Sequence, residues 1–201
     1  MGLGRSKLER RNRNGSTVLR HATTMELDRN NFSFRTKFLD DELISTIVAN
    51  LEGGEHCHKW NGLSGRKAML LGGIPHPTGA ILKTLPIWAQ QVADLIVGNG
   101  YTDSSPNQVI CNSYTDEQGL AQHNDGPLYA PWVSIVSLLS GAKICFHRIV
   151  ENDAKVESQS KDFSFYLPAN SILCFAHDLY TNFTHGKEAT RFLFSLSSGL
   201  L

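Results

Sequence analysis

The chain has 201 residues, of which 41% are hydrophobic and 19% charged, and its basic and acidic residues cancel to a net charge of zero. That length suits one domain and that composition excludes wholesale disorder, while the charge balance excludes the bulk positive field of a non-specific nucleic-acid binder. No run approaches the ~20 apolar residues of a membrane helix, and no short apolar segment follows the basic start as in a secretory signal.

Residues 1–24 form a basic, apolar-poor segment, with Arg5, Lys7, Arg10, Arg11, Arg13 and Arg20 against Glu9 alone. It reads as a disordered tail. A nuclear address, an organelle presequence and a myristoylated anchor (Met1-Gly2 with Ser6) compete with a plain extension. Residues 25–201 are expected to be a single domain, soluble, monomeric and shared between nucleus and cytoplasm. Its cysteines, Cys57, Cys111, Cys145 and Cys174, lack CxxC spacing and are expected to be reduced. His56-Cys57-His58 lacks a second ligand pair at zinc spacing and reads as a loop cluster.

Two helices come first. Asp40 caps a stripe of Leu43, Ile44, Ile47, Val48 and Leu51. Pro86 opens a second, with Trp88, Val92, Leu95 and Ile96 on one face and Gly98 as the stop. Past residue 105, short β-branched and aromatic runs follow one another: Val109–Tyr114, Val133–Leu139, Lys143–Ile149, Phe163–Leu167, Ile172–His177 and Arg191–Leu196. No helix-length period separates them. The expected fold is therefore mainly β with flanking helices, a double-stranded β-helix (jelly roll) behind N-terminal α-helices.

A lone His-x-Asp, His123-Asn124-Asp125, arises by chance in many chains. Here Asn112-x-Tyr114 precedes it on a predicted strand, Gly119 sits between, and His185 with Arg191 follows. Two imidazoles and one carboxylate on one face of an octahedral metal leave three positions open, which suits non-haem iron(II). Strand alternation puts Asn112 and Tyr114 on one side, and Arg191 opposite the Phe192–Phe194 face. A buried arginine matches a carboxylate.

This set resembles the AlkB-type family of iron(II)- and 2-oxoglutarate-dependent dioxygenases, from about residue 32 to 196. The branch of the sixth AlkB homologue is suggested by Lys59-Trp60, Leu63-Ser64-Gly65-Arg66-Lys67, Gly72-Gly73-Ile74-Pro75-His76-Pro77, Leu85-Pro86-x-Trp88 and Asp125-Gly126-Pro127-Leu128-Tyr129. The resemblance implies that His123, Asp125 and His185 hold iron(II) and form the catalytic centre. It implies that Asn112, Tyr114 and Arg191 bind 2-oxoglutarate, that dioxygen is the oxidant, and that the reaction is oxidative demethylation of nucleic acid. A protein-directed dioxygenase and a binding module weakened in turnover are the alternatives. The last arises because Ser197 stands where the family has a second co-substrate arginine.

From Cys57 through Ala93 there is no Asp or Glu, while Lys59, Arg66, Lys67, Lys83, Trp60 and Trp88 are present. Such a strip suits a nucleic-acid substrate stacked on aromatic rings. Trp88 also fits a helix core, His147 and His177 fit structural roles, and Asp178 is a candidate to orient a ligand histidine.

Overall fold

The computed structural model describes residues 17–19, 24–27, 32–54, 56–76, 78, 81–115, 117–149, 163–188 and 196–197. Three short strands open it: β1 (Thr17–Leu19), β2 (Thr24–Leu27) and β3 (Phe32–Thr36). Helix α1 (Asp41–Glu52) begins where the sequence predicts, with the Asp40 carboxylate accepting from the Leu43 amide at 2.7 Å. A 3₁₀ turn (Cys57–Lys59) leads into the hairpin β4 (Asn61–Leu63) and β5 (Arg66–Gly72). Helix α2 is Ile87–Gly98. Gly98 is thus its last residue rather than its stop, and the left-handed turn that ends it falls at Gly100, with φ of 72°.

Nine further elements follow, namely β6 (Gln108–Ser113), β7 (Leu120–His123), β8 (Trp132–Ser137), β9 (Ala142–Arg148), β10 (Phe163–Leu167), β11 (Ser171–Ala176), α3 (His177–Thr181), β12 (Phe183–Lys187) and β13 (Leu196–Ser197). They form three sheets in the orders β1-β10-β9-β12-β7, β2-β3-β11-β8 and β13-β6-β5-β4. Apart from the parallel β1–β10 pair, every strand pair is antiparallel, as a jelly roll requires. β1 falls inside the segment read as a basic tail, where residues 17–19 add to the edge of β10. Residues 1–16 lie outside the described residues.

Alternation fills two cores. One face of β5 and β6 (Met69, Leu71, Val109, Cys111) packs under the helices against Ile47, Leu51, Trp88, Val92 and Ile96. The second core joins the five-stranded sheet to the β2-β3-β11-β8 sheet through Phe34, Ile135, Phe146, Phe165, Leu173 and Phe175. Phe146 is central to it, stacked on Phe163 at 4.9 Å and edge-on to Phe175 at 5.2 Å. The helices brace the back of the β5–β6 pair. Its other face, carrying Ala68 opposite Asn112, is left to line the site.

Candidate metal centre

Strands β7 and β12 pair directly at His123 and His185, whose ring centroids lie 4.4 Å apart. Asp125 follows β7 by two residues. Its Oδ1 lies 3.7 Å from His123 Nε2 and its Oδ2 lies 3.8 Å from His185 Nε2. All three donor atoms fall within 4.8 Å of one another, and no other His/Cys/Asp/Glu group meets that test among the described residues. Two sequence-distant strands and one turn thus bring together the predicted trio.

Its protonation favours a cation. The His123 Nδ1 lies 2.9 Å from the Ala121 carbonyl, which as acceptor fixes the proton on Nδ1 and leaves the Nε2 lone pair for a ligand. His185 is buried against Phe175 and Phe146. Burial, helped by His123, pulls its pKa down to about 3, so the imidazole is neutral at ordinary pH. Burial also pushes the Asp125 carboxyl above its usual range, with His123 opposing. Asp125 Oδ2 is buried and has no hydrogen-bond partner among the described residues. A buried carboxylate oxygen with no hydrogen-bond partner among the described residues, beside a neutral His185 and the His123 ring, is a donor set that a divalent cation fits, and three donors on one side suit six-coordinate iron(II).

The co-substrate residues are split. Asn112 and Tyr114 are buried on the side of β6 that faces away from the helices, as alternation predicts. Arg191 lies outside the described residues. Position 197 pairs with Ile110 on β6, two positions from Asn112.

Two cations beside this row were not legible as site residues. Arg66 Nε donates to Asn112 Oδ1 at 2.7 Å. Lys187 Nζ sits 4.3 Å from the Tyr114 ring centroid and donates to the Gln118 carbonyl at 3.1 Å and the Glu188 carbonyl at 3.3 Å. Burial lowers its ammonium to about 8. The strand parity that gives Arg66 the face of Asn112, and Lys187 that of His185, was the available signal. Tyr129 and Tyr180 also crowd Asp125. Burial and then its charge raise both phenols, Tyr180 to about 12, and the Tyr180 hydroxyl donates to the Gly126 carbonyl at 3.1 Å.

The other residues singled out in the sequence take the following places. Trp88 is buried in the helix-side core, as its place in the apolar helix stripe predicts, and Trp60 is half-buried against that core with its Nε1 donating to the Leu51 carbonyl. His56 is buried against Trp88 rather than in a surface loop, whereas Cys57 is exposed and the His58 side chain is outside the described residues. The Asp178 carboxylate accepts from Asn182 Nδ2 at 2.6 Å, bracing the α3 turn.

No family model matches the chain. Over 133 residues it is 33% identical to a Danio rerio protein described as "Probable RNA/DNA demethylase ALKBH6", a match covering 64% of this chain and 57% of that protein. The chain therefore spans less than two thirds of that relative's length. Among solved structures it is similar to the one described as "The structure of OsALKBH1", with TM-score 0.62 and 15% identity over 87% of this chain and 100% of that one. A 2OG-Fe(II) oxygenase family oxidoreductase from Burkholderia pseudomallei matches with TM-score 0.54 and 11% identity over 84% of each chain. A prolyl hydroxylase from Trichoplax adhaerens, solved with a hypoxia inducible factor peptide fragment, matches with TM-score 0.54 and 14% identity over 87% of this chain and 85% of that one. At these identities the structural likeness shows the jelly-roll fold.

Proposed function

We propose that this chain is an AlkB-type 2-oxoglutarate- and iron(II)-dependent oxygenase that oxidatively demethylates nucleic acid, a reading supported by its likeness to the AlkB relatives described above. The observation that carries the reading is the cluster of His123, Asp125 and His185, whose donor atoms lie within 4.8 Å of one another, with His185 neutral and Asp125 Oδ2 without a hydrogen-bond partner among the described residues. Iron(II) held there supplies the redox chemistry that uses dioxygen and 2-oxoglutarate to oxidise a substrate C–H bond. His123 and His185 present lone pairs, and the Ala121 carbonyl keeps the His123 ring oriented through Nδ1. The Phe146 and Phe175 rings hold His185 in place and exclude water from behind it.

Asn112 and Tyr114 bind 2-oxoglutarate on the inner face of β6, with Arg191 as the carboxylate partner. Oxidation of an N-methyl group gives a hydroxymethyl product that breaks down to formaldehyde. The relative's description supports a nucleic-acid substrate, as do the exposed Lys59, Lys67 and Lys83 on an acid-free strip. Tyr129 and Tyr180, which lie beside Asp125, are rings placed to contact a base near the metal ligands.

The test is formaldehyde release, with iron(II) and 2-oxoglutarate, from N-methylated single-stranded DNA and RNA and from methylated peptides. Release from an oligonucleotide, lost in Asp125→Ala, is expected. Release confined to peptides would replace this reading with a protein-directed oxygenase.

A further inference from the structure

The position where the family expectation puts a second arginine holds Ser197, on β13, which borders one side of β6. On the other side of β6 runs β5, with Ala68 opposite Asn112 and Lys67 opposite Ser113. Arg66 therefore comes at the same row of β6 residues from the opposite flank. It is half-buried, and its Nε donates to Asn112 Oδ1 at 2.7 Å. That bond uses one corner of a planar five-donor group. Among the described residues no carboxylate pairs with the guanidinium, so Nη1 and Nη2 still offer the parallel fork that matches a carboxylate. The same bond orients the amide.

We infer that Arg66 binds the metal-proximal carboxylate of 2-oxoglutarate, its Nε fixing Asn112 and its terminal nitrogens contacting the anion, in place of the arginine absent at position 197. The inference rests on the co-substrate assignment proposed above. Ala68, the small residue opposite Asn112, leaves room for the guanidinium to cross the face of β5, and the chain ordering β13-β6-β5 lets either flanking strand deliver a cation to one β6 residue. Loss of an arginine from one flank is thus compensated from the other without moving the metal ligands.

The experiment is calorimetric titration of 2-oxoglutarate into the Mn(II)-loaded full chain, with Mn(II) affinity measured separately on each variant. Arg66→Ala is expected to weaken 2-oxoglutarate binding about tenfold to a hundredfold with Mn(II) affinity unchanged, as the loss of a charge-assisted pair implies. Arg66→Lys, which keeps the charge but loses the fork and retains the fold if alanine does not, is expected to fall between. Adding Ser197→Arg to Arg66→Ala is expected to restore most of the affinity. In an Asn112→Ala background, Arg66→Ala is expected still to cost about tenfold, because the contact is with the anion itself. Parent-like affinity in Arg66→Ala, or no further loss in the Asn112→Ala background, would overturn the inference while leaving the co-substrate assignment standing. A parent chain that binds Mn(II) but not 2-oxoglutarate would overturn both.

Discussion

Gly186 sits between His185 and Lys187 on β12, where the ladder to β7 is irregular: His185 pairs with His123 but Lys187 pairs with Leu120. Two residues of β7, Ala121 and Gln122, therefore oppose one residue of β12, which is the arrangement of a bulge. The two strands approach closely there. A Cβ built at Gly186 would stand 2.7 Å from the Leu120 carbonyl oxygen and 2.7 Å from Gln122 Nε2. Gln122 has little freedom to yield, because its Nε2 donates to the Cys145 carbonyl at 3.3 Å and its Oε1 accepts from Thr184 Oγ1 at 3.2 Å. Ordinary contact begins at 3.4 Å, so Gly186→Ala must part β7 from β12 by about 0.7 Å. This happens one residue from His185, on the strand pair that sets its spacing to His123. The overpacking is expected to cost about 1–3 kcal/mol, a fall in Tm of roughly 2–12 °C for a chain of this size. Disturbing the support of a ligand pair is expected to weaken metal binding about tenfold to a hundredfold. Differential scanning calorimetry and electron paramagnetic resonance counting of free Mn(II) measure the two effects. A Gly186→Ala protein that melts and binds Mn(II) like the parent would refute the reasoning.

Other substitutions follow the same logic. Phe146→Ala removes a fully buried ring that touches Phe163, Phe175 and His185, with an expected loss of about 3–5 kcal/mol in urea unfolding; a loss under ~1 kcal/mol would show that this core is not packed as described. Asp40→Ala deletes the acceptor for the Leu43 amide and is expected to cost about 1 kcal/mol, with Asp40→Asn close to the parent. Cys57 is exposed while Cys111, Cys145 and Cys174 are buried, so iodoacetamide at pH 8 is expected to add one label to the folded chain and four after unfolding, read by mass spectrometry. Burial raises the Cys111 and Cys174 thiols to about 12 from an ordinary 9. The unfolded chain therefore releases those protons first, and stability is expected to fall as pH rises from 9 towards 12, a slope that Cys111→Ala should reduce.

The sequence was most informative where side-chain pattern and role coincide. The Asp40 cap, the apolar stripe around Ile47 and Leu51, the phenylalanine-rich run of β10 and the apolar run of β11 are written in local chemistry, and the structure places them accordingly. The strands that carry the ligands are the ones local pattern hides. Leu120-Ala121-Gln122-His123 and Phe183-Thr184-His185-Gly186-Lys187 place His123, His185 and Lys187 where a strand would carry apolar residues, so neither sustains the hydrophobic alternation that marks a strand. His123 and Asp125 were legible only as a spaced motif. Their partner His185 was identified through the family resemblance, and the β7–β12 pairing is what brings it to His123 from sixty-two positions away. The placement of Trp60 was hidden for a related reason. Composition says what an indole can do, whereas its bond to the Leu51 carbonyl decides which face it turns to solvent. Arg66 was counted among basic surface residues, and only the β5–β6 register reveals that it reaches Asn112.

Succinate formation by the purified chain with iron(II), ascorbate and 2-oxoglutarate, beside His123→Ala and Asp125→Ala, addresses the central claim most directly, because this turnover needs the metal ligands and the co-substrate residues together. The account predicts succinate from the parent and none above background from either variant. Succinate undiminished in both variants, or none from a parent shown to bind iron(II) and 2-oxoglutarate, would contradict it.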